Sequence, residues 1–214
     1  MPLPVEPHIL MTFAAASLVL LAVPGPTIIM VVSQALAHGH RVALASVLGV
    51  GLGDLIAASL SLVGVGTVLA ASAAAFTAIK WLGALYLIWI GLKMWRTPVT
   101  PLTLDKARAG STKSGLPVFR DAFLVTLFNP KGIVFFIAFV PQFISPRAEF
   151  APQAALLVIC FVVLGMVNAA AYALLASSAR LWIRRPKVLS AATRLGAGFL
   201  ISAGIASLFV RRTA

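Results

Sequence analysis

Absence of charge divides this chain. No Asp, Glu, Lys or Arg occurs from Pro7 to His40, from Leu55 to Ile79 or from Phe150 to Ala179, and shorter charge-free stretches run from Gly132 to Pro146 and from Leu195 to Val210. A bilayer-spanning helix needs ~20 mostly apolar residues, and backbone exposed to lipid must satisfy its own polar groups as helix or closed barrel. Several such runs in one chain leave one class, an all-α polytopic membrane protein. Composition agrees, at 61% hydrophobic and 10% charged, against ~25% charged in an ordinary soluble domain.

The net charge of +12 does not point to nucleic acid. That reading needs a basic face on a folded soluble domain, whereas these basic residues sit in short segments between apolar runs. The lone Cys160 lies inside an apolar run, so neither a disulfide framework nor a Cys-based metal site is expected. A cleaved signal peptide begins with a positive segment. The first Lys or Arg here is Arg41, so the first apolar run is expected to be retained.

Turn signals between the runs give six spans, at about Ile9 to Val32, Val42 to Val63, Phe76 to Trp95, Ala122 to Ile144, Gln153 to Ser178 and Leu189 to Val210. Lys80 falls inside the third, where it can snorkel to the headgroups beside Trp81. The loops after the first, third and fifth spans share one face and collect twelve Lys and Arg residues, against four on the other face. The positive-inside rule then places the first face in the cytoplasm and both termini outside. The segment from Thr97 to Val118, rich in Pro, Thr, Ser and Lys, is the one long linker. The chain reads as a single domain of residues 1–214, with one repeat at about 9–95, a cytoplasmic loop at about 96–120 and a second repeat at about 121–210.

The repeat shows best in the third span laid over the sixth. Leu82 to Gly91 falls on Leu195 to Gly204 with six identities in ten positions, Tyr86 over Phe199 being a further match. In the second span over the fifth, Gly51 falls on Gly165, Asp54 on Asn168, Ala57 on Ala171 and Leu60 on Leu174. The first and fourth spans are each interrupted by proline, at Pro24-Gly25-Pro26 and at Asn129-Pro130-Lys131-Gly132. Three crossings change sides, so a three-helix unit repeated once is inverted. A 3+3 inverted repeat with paired broken helices is the architecture of secondary transporters, with substrate near the midplane.

Proline inside a helix removes a donor and clashes with the preceding turn. A single membrane proline is most simply a bend; two breaks at corresponding places favour a site. Lys131 lies ten residues past Asp121, or ~15 Å deep in a ~30 Å core. Pro24 and Asp54 each lie ~20 Å from their boundaries. Asp54 and Lys131 are thus the ionisable residues placed deep in the bilayer, where charges are costly and face a partner or a polar cavity. A structural ion pair between the second and fourth spans is the bland reading. On the functional reading Asp54 exchanges a proton, since burial and a nearby cation act in opposite senses on a carboxylate's hold on its proton. Asn129 and Asn168 can serve a cavity or simply bridge helices. Gln34 and Gln142 read as solvated near span ends, and His8, His38 and His40 as interfacial rather than metal ligands.

These residues resemble the lysine exporter (LysE) family, and its homoserine/threonine-resistance branch most closely. The resemblance rests on Val23-Pro24-Gly25-Pro26, Gly49-Val50-Gly51-Leu52-Gly53-Asp54, Leu82-Gly83-Ala84-Leu85-Tyr86-Leu87, Phe128-Asn129-Pro130-Lys131-Gly132 and Phe139-Val140-Pro141-Gln142-Phe143. It covers nearly the whole chain in order. It implies a bacterial inner-membrane exporter of amino acids driven by the proton-motive force, with no cofactor and no catalytic residue. Its motifs map onto Pro24, Gly25 and Pro26, onto Asp54, and onto Asn129, Pro130 and Lys131. A zwitterionic neutral substrate needs an anion site and a cation site. Half-helix N-termini with Lys131 can hold the carboxylate, Asp54 or half-helix carbonyls the ammonium, and Asn168 adds polar lining. The expected partners are an amino acid, protons and the lipid bilayer, with a homodimer left open.

Two rivals remain at this point. Gly51-Leu52-Gly53-Asp54 matches the Gly-x-Gly-Asp of intramembrane aspartyl proteases, which need two carboxylates sharing a proton. No second acid lies deep in a span, because Asp121 sits at a span end and Asp105 in the loop. A channel would line its pore with rings of carbonyls or charges, and neither ring is visible.

Overall fold

The structure is a computed structural model that describes residues 4–71, 73–96, 115–176 and 186–209. Among these residues it is all-helical. The helices are α1 (Pro7–Ala22), α2 (Pro26–His38), α3 (His40–Ala71), α4 (Ala73–Arg96), α5 (Gly115–Leu127), α6 (Pro130–Val134), α7 (Phe150–Leu174) and α8 (Pro186–Phe209). A π-helical turn at Phe135–Phe139 and a 3-10 turn at Val140–Phe143 follow α6.

Both expected breaks are present. α1 and α2 meet at 58°, and α5 and the segment Pro130–Phe143 at 41°. Pro26 and Pro130 each stand in the first turn of the helix that follows, where a missing N–H costs nothing. α2 ends at Gly39, whose φ of 81° is the left-handed conformation that a glycine adopts without strain.

The fourth span starts earlier than the sequence indicates. The helix begins at Gly115, inside the stretch expected to be the loop of about 96–120, rather than at Ala122. Pro117 falls in its first turn and does not interrupt it. Arg120 and Asp121 pair on its surface at 3.5 Å, so they decorate the helix instead of marking its start. The rest of the long loop, residues 97–114, lies outside the described residues, as do 177–185 and both termini. Half of the basic residues behind the charge-based orientation lie in those segments.

Two helices, Val42–Val68 and Phe150–Leu174, are long and apolar enough to cross a membrane, and there are up to four such spans if each bent pair is one. The apolar stretches Trp81–Lys93 and Thr193–Ile205, in α4 and α8, are shorter. Leu48, Leu52, Leu55, Leu60 and Val63 are exposed along α3, and Ile159, Val163 and Val167 along α7. A water-soluble protein does not display such stripes; in a bilayer they face lipid tails.

Glycines set the closest helix contacts. A Cβ on Gly53 of α3 would lie 2.9 Å from the carbonyl oxygen of Phe123 in α5, and one on Gly49 would meet Phe119. α4 and α8 pack reciprocally. A Cβ on Gly91 would lie 2.8 Å from the Ala197 carbonyl oxygen and 2.6 Å from the Ile201 side chain; one on Gly204 would lie 2.7 Å from the Ala84 carbonyl oxygen and from the Ile88 side chain. This is the contact pattern of two antiparallel helices whose equivalent residues touch each other's partners.

Two apolar clusters flank the breaks. One is aromatic, with Phe135 stacked on Phe161 at 5.7 Å and Phe136 edge-on to it at 4.9 Å. The other holds Ile28, Val31, Val32, Val47, Val50 and Ala122.

Candidate functional site

The site starts from donors that the backbone lacks. In an unbroken helix the N–H at position 24 would serve the carbonyl of Leu20, and that at position 26 the carbonyl of Ala22. Proline at both positions has none to give. Side chains from the second half of the chain supply the missing bonds. The Lys131 ammonium donates to the Leu20 oxygen, and to that of Val23 at 3.1 Å. The amide Nδ2 of Asn168 donates to Leu21 at 3.1 Å, and the Tyr172 hydroxyl to Ala22 at 3.1 Å. All four carbonyls at the end of α1 are thereby partnered. A cation is well placed there, because the C-terminal end of a helix carries partial negative charge.

The second break is tied to the first. Asn129 caps α6, its Oδ1 accepting the Lys131 N–H at 3.1 Å. Its Nδ2 donates to Thr27 Oγ1 at 3.2 Å, and the Thr126 hydroxyl donates to the same oxygen at 3.4 Å. Its own N–H goes to Thr126 at 3.0 Å, taking the carbonyl that Pro130 cannot serve.

Between the breaks and the two apolar clusters is a cavity of about 50 Å³, room for a few water molecules. Gly25, Thr27, Asp54, Asn129, Lys131 and Asn168 supply its polar edge, and Leu20, Leu21, Val23, Ile28, Val50 and Phe161 its apolar wall. Gly132 and Gly165 complete it. Of the residues singled out from sequence, Gly25, Asp54, Asn129, Lys131 and Asn168 therefore share one cavity. Pro24, Pro26 and Pro130 do not line it; they create the breaks around it. A Cβ on Gly25 would meet nothing within 4 Å, so the start of α2 opens directly onto the space.

Asp54 and Lys131 share this layer, but among the described residues no ion pair joins them. Lys131 is taken up by the carbonyls of α1. The Asp54 carboxylate lies flush against α7, where a Cβ on Gly165 would stand 2.8 Å from its Oδ2. It is the single acid in the lining, one carboxylate short of an aspartyl-protease pair.

Three lining residues were not legible as such in the sequence. Thr27 looks like the interior of an apolar run, and Phe161 like ordinary core. Gly165 carried a signal, since the repeat lays it over Gly51. Tyr172 lies outside the cavity yet closes the break. Gln34, expected to be solvated, is buried.

The LysE type translocator model matches residues 18–211. The chain is 38% identical over 168 residues to a homoserine/homoserine lactone efflux protein of Salmonella typhimurium, covering 78% of this chain and 80% of that one. It is 32% identical over 198 residues to an uncharacterized membrane protein of Vibrio cholerae, covering 92% and 95%. A leucine efflux protein of Klebsiella pneumoniae is 30% identical over 139 residues, 65% of each. No solved structure matches. These similarities set the protease reading aside, for translocators and efflux proteins are transporters rather than enzymes. The match runs from the end of α1 through both breaks to beyond α8, and the chain belongs to the LysE type translocator family of membrane proteins.

Proposed function

We propose that this chain exports neutral amino acids, of the homoserine, threonine or leucine type, across the bacterial inner membrane in exchange for protons. The carrying observation is the cavity itself: an unpaired carboxylate, Asp54, and the open start of α2 face the same small space. An α-ammonium group satisfies the first, and an α-carboxylate suits the second. The similarity to efflux proteins for homoserine and leucine supports the same substrate class. Only one acid lines the cavity, so a second cationic group on the substrate would find no counter-charge.

The architecture behind this reading is six spans in a 3+3 inverted repeat. The reciprocal contacts of Gly91 and Gly204 support it, because sequence alignment lays Ala84 on Ala197, Ile88 on Ile201 and Gly91 on Gly204. Two antiparallel helices exchanging equivalent contacts fit a two-fold axis in the membrane plane. The twelve-to-four distribution of basic residues supports termini outside the cytoplasm.

In this mechanism substrate binds with its ammonium at Asp54. A proton entering from outside neutralises the carboxylate, the ammonium loses its partner, and substrate leaves outward. Alternating movement of the two halves then returns the proton to the inside.

Proteoliposomes loaded with a panel of amino acids test this directly. Efflux of neutral amino acids should be accelerated by an imposed pH gradient and should run against their own gradient. Efflux that stops at equal concentration whatever the pH gradient would make the protein a channel.

A further inference from the structure

Resting on that export reading, we propose that Thr27, with the first turn of α2, holds the substrate carboxylate. The hydroxyl of a threonine has two acceptor positions and one donor. Its Oγ1 accepts from Asn129 Nδ2 at 3.2 Å and lies 3.4 Å from the Thr126 hydroxyl. With Thr126 as the donor between the two hydroxyls, the Thr27 hydrogen is left to give, and the residue is only 8% exposed and lines the cavity. A buried donor is expensive to leave without an acceptor.

The backbone beside it is in the same condition. The hydrogen-bond ladder of α2 begins with the Ile29 N–H donating to Gly25 at 2.9 Å. Pro26 has no N–H, so those of Thr27 and Ile28 are the first-turn donors without an intrahelical acceptor. Three donors thus belong to the two residues that follow Pro26, beside Gly25, where no side chain intervenes. A carboxylate supplies the acceptors and the negative charge that a helix start favours. The other end of a zwitterion then reaches Asp54 across the same cavity.

Lys131, also in the cavity lining, gives two of its three ammonium hydrogens to the Leu20 and Val23 carbonyls. Its work in this arrangement is to close the end of α1. Removing it should disturb the first break.

The test compares homoserine, which has a side-chain hydroxyl, with leucine, which has none. Wild-type protein in proteoliposomes first establishes export of both; a wild type that exports neither would refute the export reading, whatever Thr27 does. Given export, Thr27→Val should raise the half-saturating concentration about tenfold or more for both substrates, as expected for losing a hydrogen bond to a charged group. Thr27→Ser, which keeps the hydroxyl, should bring it back toward the wild-type value. Should Thr27→Val fail to insert, Thr27→Ala is read by the same criterion. A loss confined to homoserine would assign the hydroxyl to side-chain recognition and overturn the proposal. So would an unchanged half-saturating concentration for both substrates.

Discussion

The ammonium of Lys131 donates to the main-chain carbonyl of Leu20, the carbonyl that Pro24 leaves without a helical donor. A residue in the second half of the chain thus completes a helix broken in the first half. With Asn168 on Leu21 and Tyr172 on Ala22, the break becomes a joint between halves rather than a local bend.

This joint predicts the effect of removing its donors. Lys131→Met leaves the Leu20 and Val23 oxygens without their side-chain donor, at a cost of up to about 1–3 kcal/mol for each acceptor that stays buried without a partner. Its thermal unfolding midpoint in detergent should fall clearly. Tyr172→Phe should cost less, since that hydroxyl is near the surface. An unchanged midpoint for Lys131→Met would show that the ammonium does not hold α1.

The prolines predict a separable defect. Replacing Pro24 and Pro26 together by Ala restores the two missing N–H groups, so α1 and α2 can join as one helix. The protein should insert and melt no lower than wild type, because backbone bonds replace the side-chain ones. Export should be lost, for the open start of α2 no longer exists. Wild-type export by that variant would reduce the break to a bend.

Gly165 predicts a steric effect on Asp54. A Cβ there would stand 2.8 Å from the carboxylate oxygen, forcing it off α7. Gly165→Ala should therefore change the pH dependence of efflux as well as its rate. A rate lowered equally at every pH would point to a packing defect alone.

Much of this is legible in the sequence. Proline acts on its own backbone, so the breaks at Pro24 and Pro130 follow from a local rule. Depth along a span follows from counting residues, and it set Asp54 and Lys131 in one layer. Counting gives no direction around the helix axis, which is why those two residues looked like partners while Lys131 in fact turns to α1. Arg120 and Asp121 suggested a boundary that the helix ignores, since charges tolerated on its surface do not end it. Thr27 and Gly165 matter through what faces them from α5, α6 and α3, and no single run of sequence carries that.

The central claim is that Asp54 carries the exchanged proton, and one comparison tests it most directly. Asp54→Asn keeps size and hydrogen bonding but fixes the neutral state. Because no ion pair joins Asp54 to Lys131, the change strands no cation. In proteoliposomes at matched reconstitution, the variant should still exchange internal for external amino acid, yet fail to move it against a gradient when a pH difference is imposed. Asp54→Asn protein that pumps at the wild-type rate would contradict the account.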